Sequence, residues 1–241
     1  MPQQPVPTSR IAKNPDHNRL KTMSKSLVSF SFFNFPFAQK WWALRQMQHS
    51  DLEVPGASFA KLLGSGGGSG FSLKPDFGTY VIMCIWDSAE KAKAWENTDL
   101  FSTFASKSHS HQTHWMSCLQ SYGCWEDGNP FQNYEMAAYT DGPVFALTRA
   151  SIDKTKLLAF WRNVPVTTKA LYDSPGLIFA KGIGQFPLVE QATFSQWKDL
   201  ESMKNFAYQS DHKQVLKMAN KEGWFREDLF ARFIPVDIND L

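Results

Sequence analysis

Few residues in this chain combine a reactive side chain with a telling neighbourhood, and His212, in "SDHKQVLKMANKEGWFREDLFARF", is the foremost. It heads a stripe with Val215, Leu216 and Ala219 at the spacing of one helical face. Ser210 and Asp211 are good helix caps, which puts the imidazole in a first turn, where the positive end of the helix dipole disfavours protonation. Neutral imidazole is the form that ligates iron. The same stripe suits a histidine packed in the core, and the residues alone leave both readings open.

Other candidates are weaker. His109, His111 and His114 in "HSHQTH" could meet at a metal, but no acidic or cysteine partner stands nearby, so a solvated loop or helix end is expected. The run "GSGGGSG", Gly64 to Gly70, lacks the Lys-Ser/Thr ending of a phosphate loop and does not lead into a helix, so it reads as a hairpin loop. No Gly-x-Ser-x-Gly elbow is present, and Cys84, Cys118 and Cys124 have neither metal-knuckle spacing nor a nucleophile setting. They read as reduced thiols, which points to the cytoplasm.

The elements that must position these groups follow from patterning. With 43% hydrophobic and 15% aromatic residues the chain can fill a large core, and an aromatic surplus also suits cavities for flat or long apolar ligands. A net charge of +2 without a basic block excludes nucleic acid as a partner. No apolar run approaches the ~20 residues of a spanning helix. Val28, Phe30 and Phe32 alternate as in a half-buried first strand, and the polar, proline-bearing residues 1–24 read as a disordered leader.

An internal repeat organises the rest. "FAK" follows a Pro-Gly turn at Phe59–Lys61 and again at Phe179–Lys181, and each copy leads to a strand ending in tryptophan, Trp86 or Trp197, and then to a helix. Counted from those tryptophans, Trp95 corresponds to Phe206 and Phe101 to His212. Each copy reads strand, helix, strand, strand, helix, strand: in the second, "PVFALTRAS", "KTKLLAFWRNV", "GLIFAKGIG", "VEQATFSQW", "DLESMKNFAYQ" with a further helix from Asp211, and "REDLFARFIPV". The expected fold is α+β: two fused ferredoxin-like repeats, residues 25–123 and 144–241, joined by a linker at 124–143, packing their bare sheet faces into one intrachain α+β barrel of the dimeric α/β barrel type. Two domains with separate cores are the alternative.

The blocks "FAKLLGSGGGSGF", "GPVFALTRA", "FWRNVP", "PGLIFAKGIG", "FSQWKDLESMKNFA" and "KEGWFREDLFARF" resemble, in order, those of the spheroidene monooxygenase family of carotenoid oxygenases, over about Leu27 to Phe233. The resemblance implies the dimeric α+β barrel superfamily and a haem-dependent oxidoreductase that uses dioxygen and an external electron donor such as ferredoxin. Its substrate would be an acyclic carotenoid, hydroxylated in its terminal region. A second hydroxylation at the same carbon gives a geminal diol and, on loss of water, a ketone.

It further implies His212 as axial ligand to the iron of haem b, Arg149, Lys181 and Arg226 as partners for haem propionates, and Trp197, Phe206 and Trp224 as pocket walls. Because Phe101 replaces the histidine in the first repeat, one haem per chain is expected, in the second. Reversible contact with the cytoplasmic membrane face through aromatics of "FFNFPF" would give access to a bilayer-dissolved substrate. The alternatives are a haem enzyme of the same superfamily with another substrate, and a non-enzymatic haem- or lipid-binding module.

Overall fold

The computed structural model describes residues 26–49, 51–67, 74–126, 128–186, 188–209 and 211–241, without the side chains of residues 209, 211 and 212. The expected leader, the tip of the glycine-rich loop and Ser210 lie outside the described residues. The first unit comprises β1 (Leu27–Asn34), α1 (Lys40–Gln46), β2 (Ala57–Gly66), β3 (Pro75–Trp86), α2 (Ala89–Lys93), α3 (Asp99–Lys107) and β4 (Ser110–Gly123). The second comprises β5 (Val144–Ile152), α4 (Leu157–Tyr172), β6 (Leu177–Gly184), β7 (Glu190–Trp197), α5 (Leu200–Gln209), α6 (Asp211–Glu222) and β8 (Phe225–Pro235).

The eight strands form one closed antiparallel barrel, ordered β1-β3-β2-β6-β7-β5-β8-β4. Two ferredoxin-like sheets therefore meet edge to edge and share one interior. One seam, β4 with β8, extends from Met116 opposite Pro235 to Gly123 opposite Leu229. The other, β2 with β6, consists of Gly64 opposite Gly184 and Ser65 opposite Ile183. Gly184 has no room for a side chain, since a Cβ there would stand 2.2 Å from the Glu190 carbonyl oxygen.

Closure explains why β1 is buried on both faces rather than half-buried as its alternation suggested. Phe30 and Phe32 point into the barrel, where Phe194 stacks on Phe30 at 4.5 Å and on Phe145 at 5.4 Å. Ser29 and Ser31 alternate with them, and accept hydrogen bonds from the indoles of Trp86 and Trp95, each at 2.9 Å. Trp125 and Phe131, from the segment between β4 and β5, complete the interior. Most of the aromatic surplus is thus barrel and first-unit core.

Two local expectations are corrected. The stretch bearing His111 and His114 is part of β4, neither loop nor helix end. Alternation sends His111 against Phe33 and Phe101, and His114 against Phe32, Phe145 and Phe194, where burial lowers its pKa. The helix expected to end at Val164 runs on to Tyr172 through Pro165, which has no N–H for the Trp161 carbonyl. Cys84 and Cys118 are buried and Cys124 is partly so, all free; burial raises both buried thiols, Cys118 to about 12. No helix among the described residues is long and apolar enough to cross a membrane.

Truncating the ring at the centre of the barrel, Phe194→Ala, should lower the unfolding free energy by about 3–5 kcal/mol. Urea denaturation followed by tryptophan fluorescence checks this, and a loss under about 1 kcal/mol would mean that the stack is not central to closure.

Candidate functional site

The two units differ most in the layer between sheet and helices. In the first that layer is filled by Phe33, Tyr80, Ile82, Trp86, Trp95 and Phe101. The second encloses a cavity of about 330 Å³ between β5, β7 and β8 on one side and α4, α5 and α6 on the other. This falls at the low end of ligand-sized pockets.

Strand register supplies the cause. Leu27 stands opposite Trp86 in the first unit, and Val144 opposite Trp197 in the second. Aligned on those pairs, Phe33 corresponds to Ala150, Tyr80 to Gln191 and Ile82 to Thr193. The cavity floor is therefore opened at Ala150, Gln191 and Thr193, which replace Phe33, Tyr80 and Ile82, while Ala146, Thr148 and Ser195 match the equally small Ser29, Ser31 and Cys84 of the first unit. The roof is mostly apolar, with Phe160, Val164 and Leu171 from α4, Met203 and Phe206 from α5, and Val215, Leu216 and Ala219 from α6, interrupted by Asn163, Thr167, Thr168 and Asn220. An open depression at one barrel mouth, beside His114 and Asp237, has no comparable roof.

The cavity brings together four of the expected residues, Trp197, Phe206, Trp224 and Arg149. Trp197 and Phe206 stack at 5.3 Å on its wall, with the Trp197 indole donating to Ser195 Oγ at 3.0 Å. Trp224 also lines it, anchored by a 2.9 Å bond from its indole to Glu222. His212 belongs to α6, and its side chain lies outside the described residues; Val215, Leu216 and Ala219, three, four and seven positions on, all line the cavity.

The three cations expected at propionates stand elsewhere or are already paired. Arg149 contributes to the cavity wall, but its guanidinium binds Glu227 at 2.7 Å and Glu190 at 2.8 Å and lies 4.9 Å over Trp125 of the barrel interior. Lys181 is away from the cavity, and its 3.5 Å contact with Asp76 joins the two units. Arg226 is exposed, is not part of the cavity lining, and donates to Ser151 Oγ at 2.8 Å.

Alternation along β8 points to a residue that sequence reading missed. Leu229, Ala231 and Phe233 face the barrel, whereas Phe230, Arg232 and Ile234 face the helices. Arg232 is 6% exposed, lines the cavity and lies 4.9 Å over the Phe230 ring. Its period-two register with Phe230 was the available signal, obscured by the denser charges of "FRED". No cluster of His, Cys, Asp and Glu suited to a metal ion occurs among the described residues.

Comparison with known proteins then fixes the family. Over 214 residues the chain is 35% identical to a spheroidene monooxygenase of Rhodobacter capsulatus, covering 86% of this chain and 89% of that protein. The chain belongs to the spheroidene monooxygenase family. A second member, from Cereibacter sphaeroides, is 32% identical over 213 residues, and the match spans 86% of this chain and 65% of that protein's length. Residues 133–233 also match a domain of unknown function, DUF3291. Among solved structures an aldoxime dehydratase shares the fold with a TM-score of 0.59 at 10% identity, over 97% of this chain and 91% of that one.

The Arg149 cluster predicts how this family member responds to acid. Partial burial pushes the Glu227 carboxyl up, but hydrogen bonds from Arg149 and the Glu126 amide, with the charges of Arg149 and Arg226, outweigh it and hold the group below its usual range. A depressed carboxylate contributes stability above its unfolded-state pKa and loses it as pH falls toward its folded-state value. Glu227→Gln should therefore lower the urea midpoint near neutrality and flatten its decline between about pH 5 and pH 3. Parallel acid limbs for variant and wild type would contradict the assignment.

Proposed function

We propose that the chain is a haem-dependent carotenoid monooxygenase that hydroxylates the terminal region of an acyclic carotenoid and oxidises it toward a ketone. The observation that carries this reading is the cavity of the second unit, hollow where its counterpart is packed, in a member of the spheroidene monooxygenase family. Haem b, when bound, would supply the redox chemistry that activates dioxygen, with electrons from an external donor such as a ferredoxin.

The lining suits such a group in residue type, and at about 330 Å³ the cavity would have to widen to admit a whole porphyrin. Phe206, backed by the stacked and fully buried Trp197, offers an aromatic wall, and the mostly apolar roof from α4 and α6 would limit water at the face of a planar apolar ligand. His212 is the residue that would hold the iron, because its position shares the helical register of Val215, Leu216 and Ala219, all on the cavity. In the first unit Phe101, counted equivalently, is 4% exposed and packs against Phe33 and Trp95, which supports one haem per chain. The apolar lining holds the end of a hydrocarbon by burial alone, the one large source of affinity such a substrate offers.

The hydroxyl-bearing floor, Thr148, Thr193 and Ser195, favours a second reading: the same site turning over a smaller, more polar substrate. Pigment extracts from hosts making an acyclic carotenoid distinguish the two. For membrane contact, Phe32, Phe33 and Phe35 are buried, so the proposed surface narrows to Phe37 and Trp41, 85% and 74% exposed beside Lys40.

Coexpression with lycopene, neurosporene or spheroidene pathways should yield hydroxy- or ketocarotenoid only with dioxygen and a reductase system. Unchanged pigment despite haem loading would defeat the carotenoid assignment. His212→Ala should abolish the Soret band of purified protein and most haem retention while leaving the chain folded, whereas His109→Ala and His111→Ala should not alter the spectrum. Two haems per chain, or an unaltered His212→Ala spectrum, would overturn the ligand assignment. Wild type should float with liposomes and the Phe37→Ala/Trp41→Ala variant should not; equal flotation would remove these residues from the membrane contact.

A further inference from the structure

Three cationic side chains are buried among the described residues: Lys61, Arg149 and Arg232. Lys61 is bonded to Asp51 and Glu126, and Arg149 to Glu190 and Glu227. Lys61 and Arg149 thus have two carboxylates each. Arg232 has none within ion-pair distance among the described residues. Its Nη1 donates to Gln120 Oε1 at 3.1 Å, its Nη2 makes a long 3.3 Å bond to the Tyr208 hydroxyl, and its Nε is buried without a partner.

A guanidinium stays charged, and burying it without an anion costs several kcal/mol, on the order of the whole margin of stability of many domains. The incomplete edge matters here. Nε and Nη2 form the side on which a carboxylate binds with two parallel bonds. In Arg232 that side carries one long bond to a neutral phenol and one unmade bond. Arg232 and Tyr208 both line the cavity, and Tyr208 and neighbouring Tyr122, 51% and 48% exposed, mark this end as its mouth. Asp228 lies on the same strand face, yet makes no ion pair with Arg232.

We propose that Arg232, with Tyr208 beside it, is the carboxylate-recognising group of the cavity, and that it would bind a propionate of the porphyrin. The assignment rests on the haem reading for its ligand, and replaces Arg149, Lys181 and Arg226 in that role. A carotenoid hydrocarbon has no charge to offer such a group. The ligand's own carboxylate completes the guanidinium, so the charge is balanced only in the occupied protein.

The test uses metal-free protoporphyrin IX and its dimethyl ester, read by fluorescence on the full chain, so that iron ligation does not enter. Wild type should bind the diacid about 10- to 100-fold more tightly than the ester, as expected for a charge-assisted pair. Arg232→Gln should abolish that preference, Arg232→Lys should keep part of it, and Tyr208→Phe should reduce it only slightly. The ester comparison on wild type needs no variant to fold. Equal wild-type affinity for diacid and ester, a preference that persists in Arg232→Gln, or binding of neither porphyrin would each overturn the proposal. A fatty acid that displaces the diacid from wild type with higher affinity would overturn the porphyrin as the source of the carboxylate. Diacid preference alongside a haem spectrum indifferent to His212→Ala would instead overturn the iron ligand and leave Arg232 in place.

Discussion

Everything in this molecule depends on the need of a four-stranded sheet, already covered by helices on one side, to hide its other side from water. Neither unit can do so alone. Each supplies the lid for the other, and the stacked rings of Phe30, Phe194 and Phe145 mark where the two interiors fuse. Burial of apolar surface drives this closure, while the paired backbones of β4 and β8 fix its register. With the barrel interior devoted to mutual shielding, only the outer layers between sheet and helix remain to differ between units. One is filled and the other hollow.

That division shows how far the sequence could be read. The repeat of Pro-Gly turn, "FAK" and terminal tryptophan disclosed the order of elements and the equivalence of Trp86 and Trp197, because those features sit at turns and strand ends with strong local preferences. The hollow itself was written in single alternate positions, Ala150 for Phe33 and Thr193 for Ile82, whose meaning appears only when the registers are superposed. Charge was read least well. Arg149 and Lys181 were sensible candidates by type, but their carboxylate partners come from distant segments: Glu227 and Glu190 for one, Asp76 for the other. A one-dimensional pattern cannot display such partners.

The buried tryptophans illustrate a second limit. Trp86 and Trp95 each donate to a serine of β1, so polar residues interrupting a phenylalanine-rich strand are satisfied rather than disruptive. Read along the chain, Ser29 and Ser31 looked like the wet face of a half-buried strand. In the barrel they are the acceptors that let large indoles fill the first layer completely, which is why that unit has no comparable opening.

The two seams of the barrel are unequal, and the inequality gives the molecule a mechanical grain. The β4–β8 side is a long ladder, whereas among the described residues the β2–β6 side meets only at Gly64 with Gly184 and Ser65 with Ile183, reinforced by Lys181 reaching Asp76 and Gln185 reaching Asp51. Such a shell resembles a book with a bound spine and a clasped fore-edge. Thermal fluctuation or an applied pull parts the clasp before the spine, and amides of the short seam open to solvent by local excursions that leave both layers of helices in place.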